Sequence, residues 1–160
     1  MIESEVKLMA IGLIGLIDVD SKIPNLVLMK LSTYFKSLGY IVEFVRPNRV
    51  YTKIYASAIF TKSRDICLKL IEMYGDKIEI GGTGWNIEKK LPDEIESCKP
   101  DYDLYSALEI ASRMKGIGTK EHKLKKATEI VNAGIGFTSR GCIRNCPFAS
   151  SLQKRDDFTM

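Results

Sequence analysis

The chain has 160 residues, 45% of them hydrophobic and 28% charged, with a formal net charge of +4. That length suits one domain with a full buried core, and the composition is that of an ordinary globular protein. The charge is mild, and positive charge indicates nucleic acid or membrane only when it is clustered, so neither is expected as a partner.

The apolar run from Leu8 to Val19 could be mistaken for an export signal. Glu3 and Glu5 precede it where a signal peptide carries positive charge, no small-x-small cleavage site follows, and the run is too short to span a bilayer. It reads instead as a strand buried on both faces, over Leu8–Ile17, ending in acids. With no export signal the expected compartment is the cytoplasm, where cysteines stay reduced.

Pro24 fits the first turn of a helix, and Val27, Leu31, Tyr34, Phe35 and Leu38 follow at one-face helical spacing up to Gly39. Ile41–Val45 reads as a second strand and Lys53–Phe60 as a third. Thr61 is a candidate cap for a helix whose inner face carries Ile66, Cys67, Leu70, Ile71 and Tyr74. Cys67 on that stripe is expected to be core. Lys77–Ile80 is a fourth strand, running into Gly81-Gly82-Thr83-Gly84-Trp85.

Beyond Trp85 the pattern weakens. Pro92, Pro100 and the acidic Asp93–Glu96 suggest a surface segment. Short helices are expected over Tyr105–Lys115 and Thr119–Asn132. The lysines of the second, Lys120, Lys123, Lys125 and Lys126, read as a solvated face, and His122 among them as a surface residue. Ile135–Thr138 resembles a short strand. The expected division is a sheet domain over 1–105, a helical insertion or linker over 106–134, and a final loop and tail over 135–160.

Strand–helix alternation implies a doubly wound α/β domain with a mostly parallel sheet, flavodoxin-like or cobalamin-binding-like in outline. Ligands of such sheets sit beyond the carboxyl ends of the strands, at the switch in strand order. Three loops are expected to meet there, carrying Asp18 and Asp20, Ser63, and Gly81, Gly82 and Thr83. Those glycines either let a ligand approach the backbone closely or simply make a tight turn. They lack the spacing and the lysine of a dinucleotide or P-loop fingerprint.

The most specific motif is near the end: Gly141-Cys142-Ile143-Arg144-Asn145-Cys146-Pro147-Phe148-Ala149. It resembles the radical S-adenosylmethionine motif, C-x3-C-x2-C with an aromatic before the third cysteine. Cys142, Cys146 and Phe148 match; Ala149 stands where the third cysteine belongs. Upstream, Ile17-Asp18-Val19-Asp20-Ser21, Pro24-Asn25-Leu26, Leu28-Met29-Lys30, Gly81-Gly82-Thr83-Gly84, Leu91-Pro92 and Pro100-Asp101-Tyr102 with Leu104-Tyr105 resemble, in order, a group of bacterial and phage radical S-adenosylmethionine proteins of unsettled function. The stretch from Ser106 to Ala133 looks like extra sequence relative to that group.

The resemblance implies a [4Fe–4S] cluster held by Cys142 and Cys146, and S-adenosylmethionine chelated by its free iron and reductively cleaved by an electron from the cluster. The substrate is not implied. It also implies a barrel after the cluster loop, which residues 150–160 do not resemble. The expectation is the front end of a radical S-adenosylmethionine protein, stopping after a cluster loop short of one thiolate and inactive alone. The alternative is a small-molecule module, for a nucleotide-like or corrinoid-like ligand, without catalysis. Cobalamin itself is not expected. Its D-x-H-x-x-G motif would place histidine at Asp20 and glycine at Ile23, and only Asp18 agrees. A structural zinc site wants four ligands, and C-x3-C is not the thioredoxin spacing.

Overall fold

The structure, a computed structural model, describes residues 11–116 and 118–136. Four parallel strands form one sheet: β1 (Leu13–Asp18), β2 (Ile41–Phe44), β3 (Lys53–Ser57) and β4 (Ile78–Gly81), in the order β2-β1-β3-β4. Helix α1 (Leu26–Ser37) connects β1 to β2, and α2 (Arg64–Tyr74) connects β3 to β4. The neighbours Tyr55 and Ala56 on β3 pack into different clusters, one under α1 and one under α2. Adjacent residues of a strand point to opposite faces, so the two helices cover opposite faces and the domain is doubly wound.

The α1 face holds the main core, in which Ile14, Leu16 and Val42 of the sheet meet Leu28 and Leu31. The opposite face explains why β1 reads as a continuous apolar run. No helix bridges β2 and β3; the short connection over 45–52 crosses β1 instead, with Tyr51 buried in it. A Cβ on Gly15 would stand 2.7 Å from Val45 Cγ2 and 2.9 Å from Tyr51 Cδ1, so glycine is what lets that ring lie on the strand. The Tyr51 hydroxyl donates to Glu43 Oε1 at 2.9 Å and accepts from the Arg46 N–H at 2.9 Å.

Several boundaries differ from the sequence expectation for local reasons. β1 begins at Leu13; the expected residues before Ile11 lie outside the described residues. Pro24 precedes the helix rather than opening it, because Asn25 is the cap, its side chain accepting from the Val27 N–H at 3.1 Å. β3 stops at Ser57, and Thr61 opens a 3-10 turn, Thr61–Ser63, leaving Ser63 at the start of α2. On α2, Cys67 is buried as expected, but Ile66 and Ile71 are exposed. The reason is that α2 lies over β3 and the edge strand β4 and meets them along a narrow stripe, Cys67 and Leu70 against Ala56, Ala58 and Ile80.

Beyond β4 the chain returns across α1. Helix α3 (Asp93–Glu96) buries Ile95 against the core, and Lys30 pairs with Glu96 at 2.8 Å. Helices α4 (Ala107–Arg113) and α5 (Lys120–Asn132) form an αα-hairpin whose Ile110 and Ala127 are fully buried with Met29 and Tyr105. The Ser106 and Glu109 side chains form a reciprocal capping box at the start of α4. Ile135 and Gly136 belong to no strand, and the remainder of that expected strand lies outside the described residues. Among the described residues, no helix is long and apolar enough to cross a membrane.

Asp101 fastens this returning segment to α1. Its Oδ2 accepts from the Ser32 hydroxyl and the Lys36 ammonium, each at 2.6 Å. Burial pushes its pKa up, but those two donors outweigh burial and hold the carboxyl below its ordinary value. A carboxylate with a lowered folded pKa stabilises the protein above its unfolded value of about 4. That contribution is lost as the pH falls through the lowered one. Urea denaturation of the wild type and Asp101→Asn is therefore expected to show its widest stability gap at neutral pH, closing in acid. A gap unchanged down to about pH 2 contradicts this assignment.

Candidate functional site at the carboxyl edge

Parallel pairing sets Asp18 beside Ser57 and Ser57 beside Gly81, so β1, β3 and β4 end in register on one edge. The structure thus brings Asp18, Asp20, Ser63, Gly81, Gly82 and Thr83 to a single rim. Because β1 leads left to β2 and β3 leads right to β4, the switch in strand order lies between β1 and β3.

What those residues do on the rim is bond one another's backbones. Asp20 accepts the Ile59 N–H on Oδ1 at 2.8 Å and the Phe60 N–H on Oδ2 at 2.9 Å. The Thr83 hydroxyl donates to the Ile59 carbonyl at 3.0 Å, and the Gly84 N–H to the Ala58 carbonyl at 3.0 Å. Gly82 has φ +96°, and a Cβ there would fall on the Ala58 carbonyl oxygen; one on Gly84 would stand 2.6 Å from the Phe60 carbonyl oxygen. The glycines allow close backbone approach, and the backbone they meet is the chain's own. Gly81 has open space around its Cα, its carbonyl accepting the Ala58 N–H at 3.0 Å, while Ser63 is buried with its N–H on the Phe60 carbonyl at 3.1 Å. This held loop presents Ile59 and Phe60 to solvent, with Lys62 over the Phe60 ring and Arg64 over Trp85.

Asp18 is the deepest acid of the rim, its side chain 1% exposed. Oδ1 accepts the Ser21 N–H at 3.1 Å; Oδ2 accepts from the Tyr105 hydroxyl at 2.8 Å and from Arg113 Nη1 at 2.6 Å. The Arg113 guanidinium lies 5.3 Å from the centre of the Tyr105 ring and 5.9 Å from that of Phe44. Burial first, then the Asp18 charge, push the Tyr105 pKa far up, so its hydroxyl is a permanent donor. Next to it, Asn25 Nδ2 donates to the buried Ser57 hydroxyl at 3.0 Å, tying the start of α1 to the end of β3.

Sequence reasoning missed Tyr105, Arg113, Asn25 and Ser57 as rim residues. Asn25 had a local signal, a capping residue beside a proline. Arg113 had none, since it lies on a short helix in the stretch read as extra sequence. Cys142, Cys146 and Phe148 lie outside the described residues, as does Ala149. Among the described residues, no group of three or more His, Cys, Asp or Glu side chains is placed to hold a metal ion.

A four-stranded parallel sheet wound by helices on both faces, with a self-bonded carboxyl edge, defines an α/β domain whose class is clear and whose chemistry is not set by the fold. Compared with protein-family models, with curated proteins and with solved structures, the chain gives no match.

Proposed function

We propose that this chain provides the α/β domain and part of the cluster loop of a radical S-adenosylmethionine iron–sulfur protein. The carrying observation is Cys142 and Cys146 at C-x3-C spacing, followed by Phe148, downstream of an α/β domain. The donor set falls short of the cluster it resembles. Three thiolates hold three irons of a [4Fe–4S] cluster in that motif, and the methyl group of Ala149 supplies neither a ligand nor a negative charge. Two thiolates hold such a cluster weakly, so the chain by itself does not carry out reductive cleavage of S-adenosylmethionine.

The test is anaerobic reconstitution with iron and sulfide, reading bound iron and charge-transfer absorbance. The native chain is expected to retain little iron, and Ala149→Cys is expected to retain several-fold more. Equal retention by the two chains contradicts the proposed cluster loop. Robust formation of 5′-deoxyadenosine by the native chain contradicts the proposed inactivity.

A second reading, a small-molecule module, draws on the three loops that converge at one edge. The rim residues singled out for it spend their polar groups on their own chain, so the geometry lends it less support. A bound ligand would have to use the crevice between β1 and β3.

A further inference from the structure

Beside that crevice the chain fills a site with its own side chain. Asp18 at the end of β1, Phe44 at the end of the neighbouring β2, and Tyr105 make a box suited to a cation: a carboxylate, a phenol hydroxyl and two π faces. Tyr105 and Phe44 pack edge to face with ring centres 5.0 Å apart. The cation in the box is Arg113, from the last turn of α4, and Nη1 also reaches the Ser21 carbonyl at 3.4 Å. Arg113 keeps 25% of its side chain exposed, whereas Asp18 is sealed beneath it.

The hairpin that delivers Arg113 sits lightly. Ile110 and Ala127 are its fully buried residues and Ala107, Ala111, Met114, Ile130 and Val131 are only partly buried around them, while most of α5, together with Leu108 and Leu124, faces solvent. Gly116, at φ +138°, lies in the turn between its helices. Segments with few buried apolar contacts open locally at lower cost than the sheet beneath them. A buried ion pair contributes little net attraction but strongly penalises loss of one partner, so it works better as a register device than as glue.

We propose that the α4–α5 hairpin is a hinged cover over the carboxyl ends of β1 and β2, latched by Arg113 seated in the Asp18–Tyr105–Phe44 box. When the latch opens, Asp18 Oδ2 loses its cationic partner, and a guanidinium- or ammonium-bearing ligand meets the same box.

Hydrogen exchange read by mass spectrometry tests this on the full chain. In Arg113→Met, amides over 107–132 are expected to exchange about tenfold faster or more, while those of β1 and β3 keep their protection. Arg113→Met also strands a buried carboxylate, which can loosen the sheet for an unrelated reason. The double variant Asp18→Asn/Arg113→Met removes both charges. It is expected to keep the sheet protected and the hairpin fast. Hairpin protection restored in the double variant means that packing alone holds the cover and overturns the latch. Joint loss of sheet and hairpin protection in the double variant overturns the hinge, because the hairpin is then part of the core. An unchanged hairpin in Arg113→Met overturns the proposal outright.

Discussion

Gly82→Ala is expected to destabilise the protein by about 3 kcal/mol. Two separate costs combine. The backbone at Gly82 has φ +96°, where an L side chain is strained, and the added methyl would fall on the Ala58 carbonyl oxygen. That carbonyl is not free to move, since it accepts the Gly84 N–H, and its loop is further held by Asp20 and Thr83. Relief would therefore break several hydrogen bonds at once. The adjacent Gly81→Ala is the control: it has open space and no positive φ, so a change within about 1 kcal/mol is expected. Urea denaturation of both variants checks this. Similar stabilities for the two would show that the 58–60 loop yields easily and that the rim is not rigid.

Asn25→Ala is expected to cost a similar amount, about 3 kcal/mol, by a different route. The Asn25 side chain caps α1 through the Val27 N–H, and loss of such a cap costs about 1–2 kcal/mol. Its Nδ2 also serves the Ser57 hydroxyl, which is 2% exposed and cannot turn to water. Leaving that group without its partner adds about 1–3 kcal/mol. A double-mutant cycle with Ser57→Ala separates the two. Ser57→Ala should relieve part of the penalty, giving a coupling of about 1 kcal/mol; strict additivity would mean the Asn25–Ser57 bond contributes nothing.

Much of the sheet was legible because buried parallel strands must be apolar and the helices between them must show one apolar face. Ile41–Val45 and Lys77–Ile80 were placed within a residue at each end for that reason. The end of β3 was overrun because Ala58, Ile59 and Phe60 look like strand, yet Asp20 and Thr83 draw them into a turn. On α1 the one-face spacing pointed to Val27, Leu31, Tyr34, Phe35 and Leu38. Leu31 is buried as expected, but so are Leu28 and Met29, while Leu38 is exposed. Helix α1 is buried on two sides, against the sheet and against the α4–α5 hairpin, and a second covering element leaves no single-stripe pattern.

The sequence by itself determined the parallel α/β class and the rim on which Asp18, Asp20 and Thr83 stand. Both follow from local alternation and from the rule that parallel strands end together. Only the tertiary structure decided what those residues do. Asp18 meets Arg113 across 95 positions and Tyr105 across 87, and Asp20 meets Ile59 across 39. Periodicity reports which side of an element is apolar; it carries no information about which distant donor fills a buried carboxylate, because that depends on how separate elements pack.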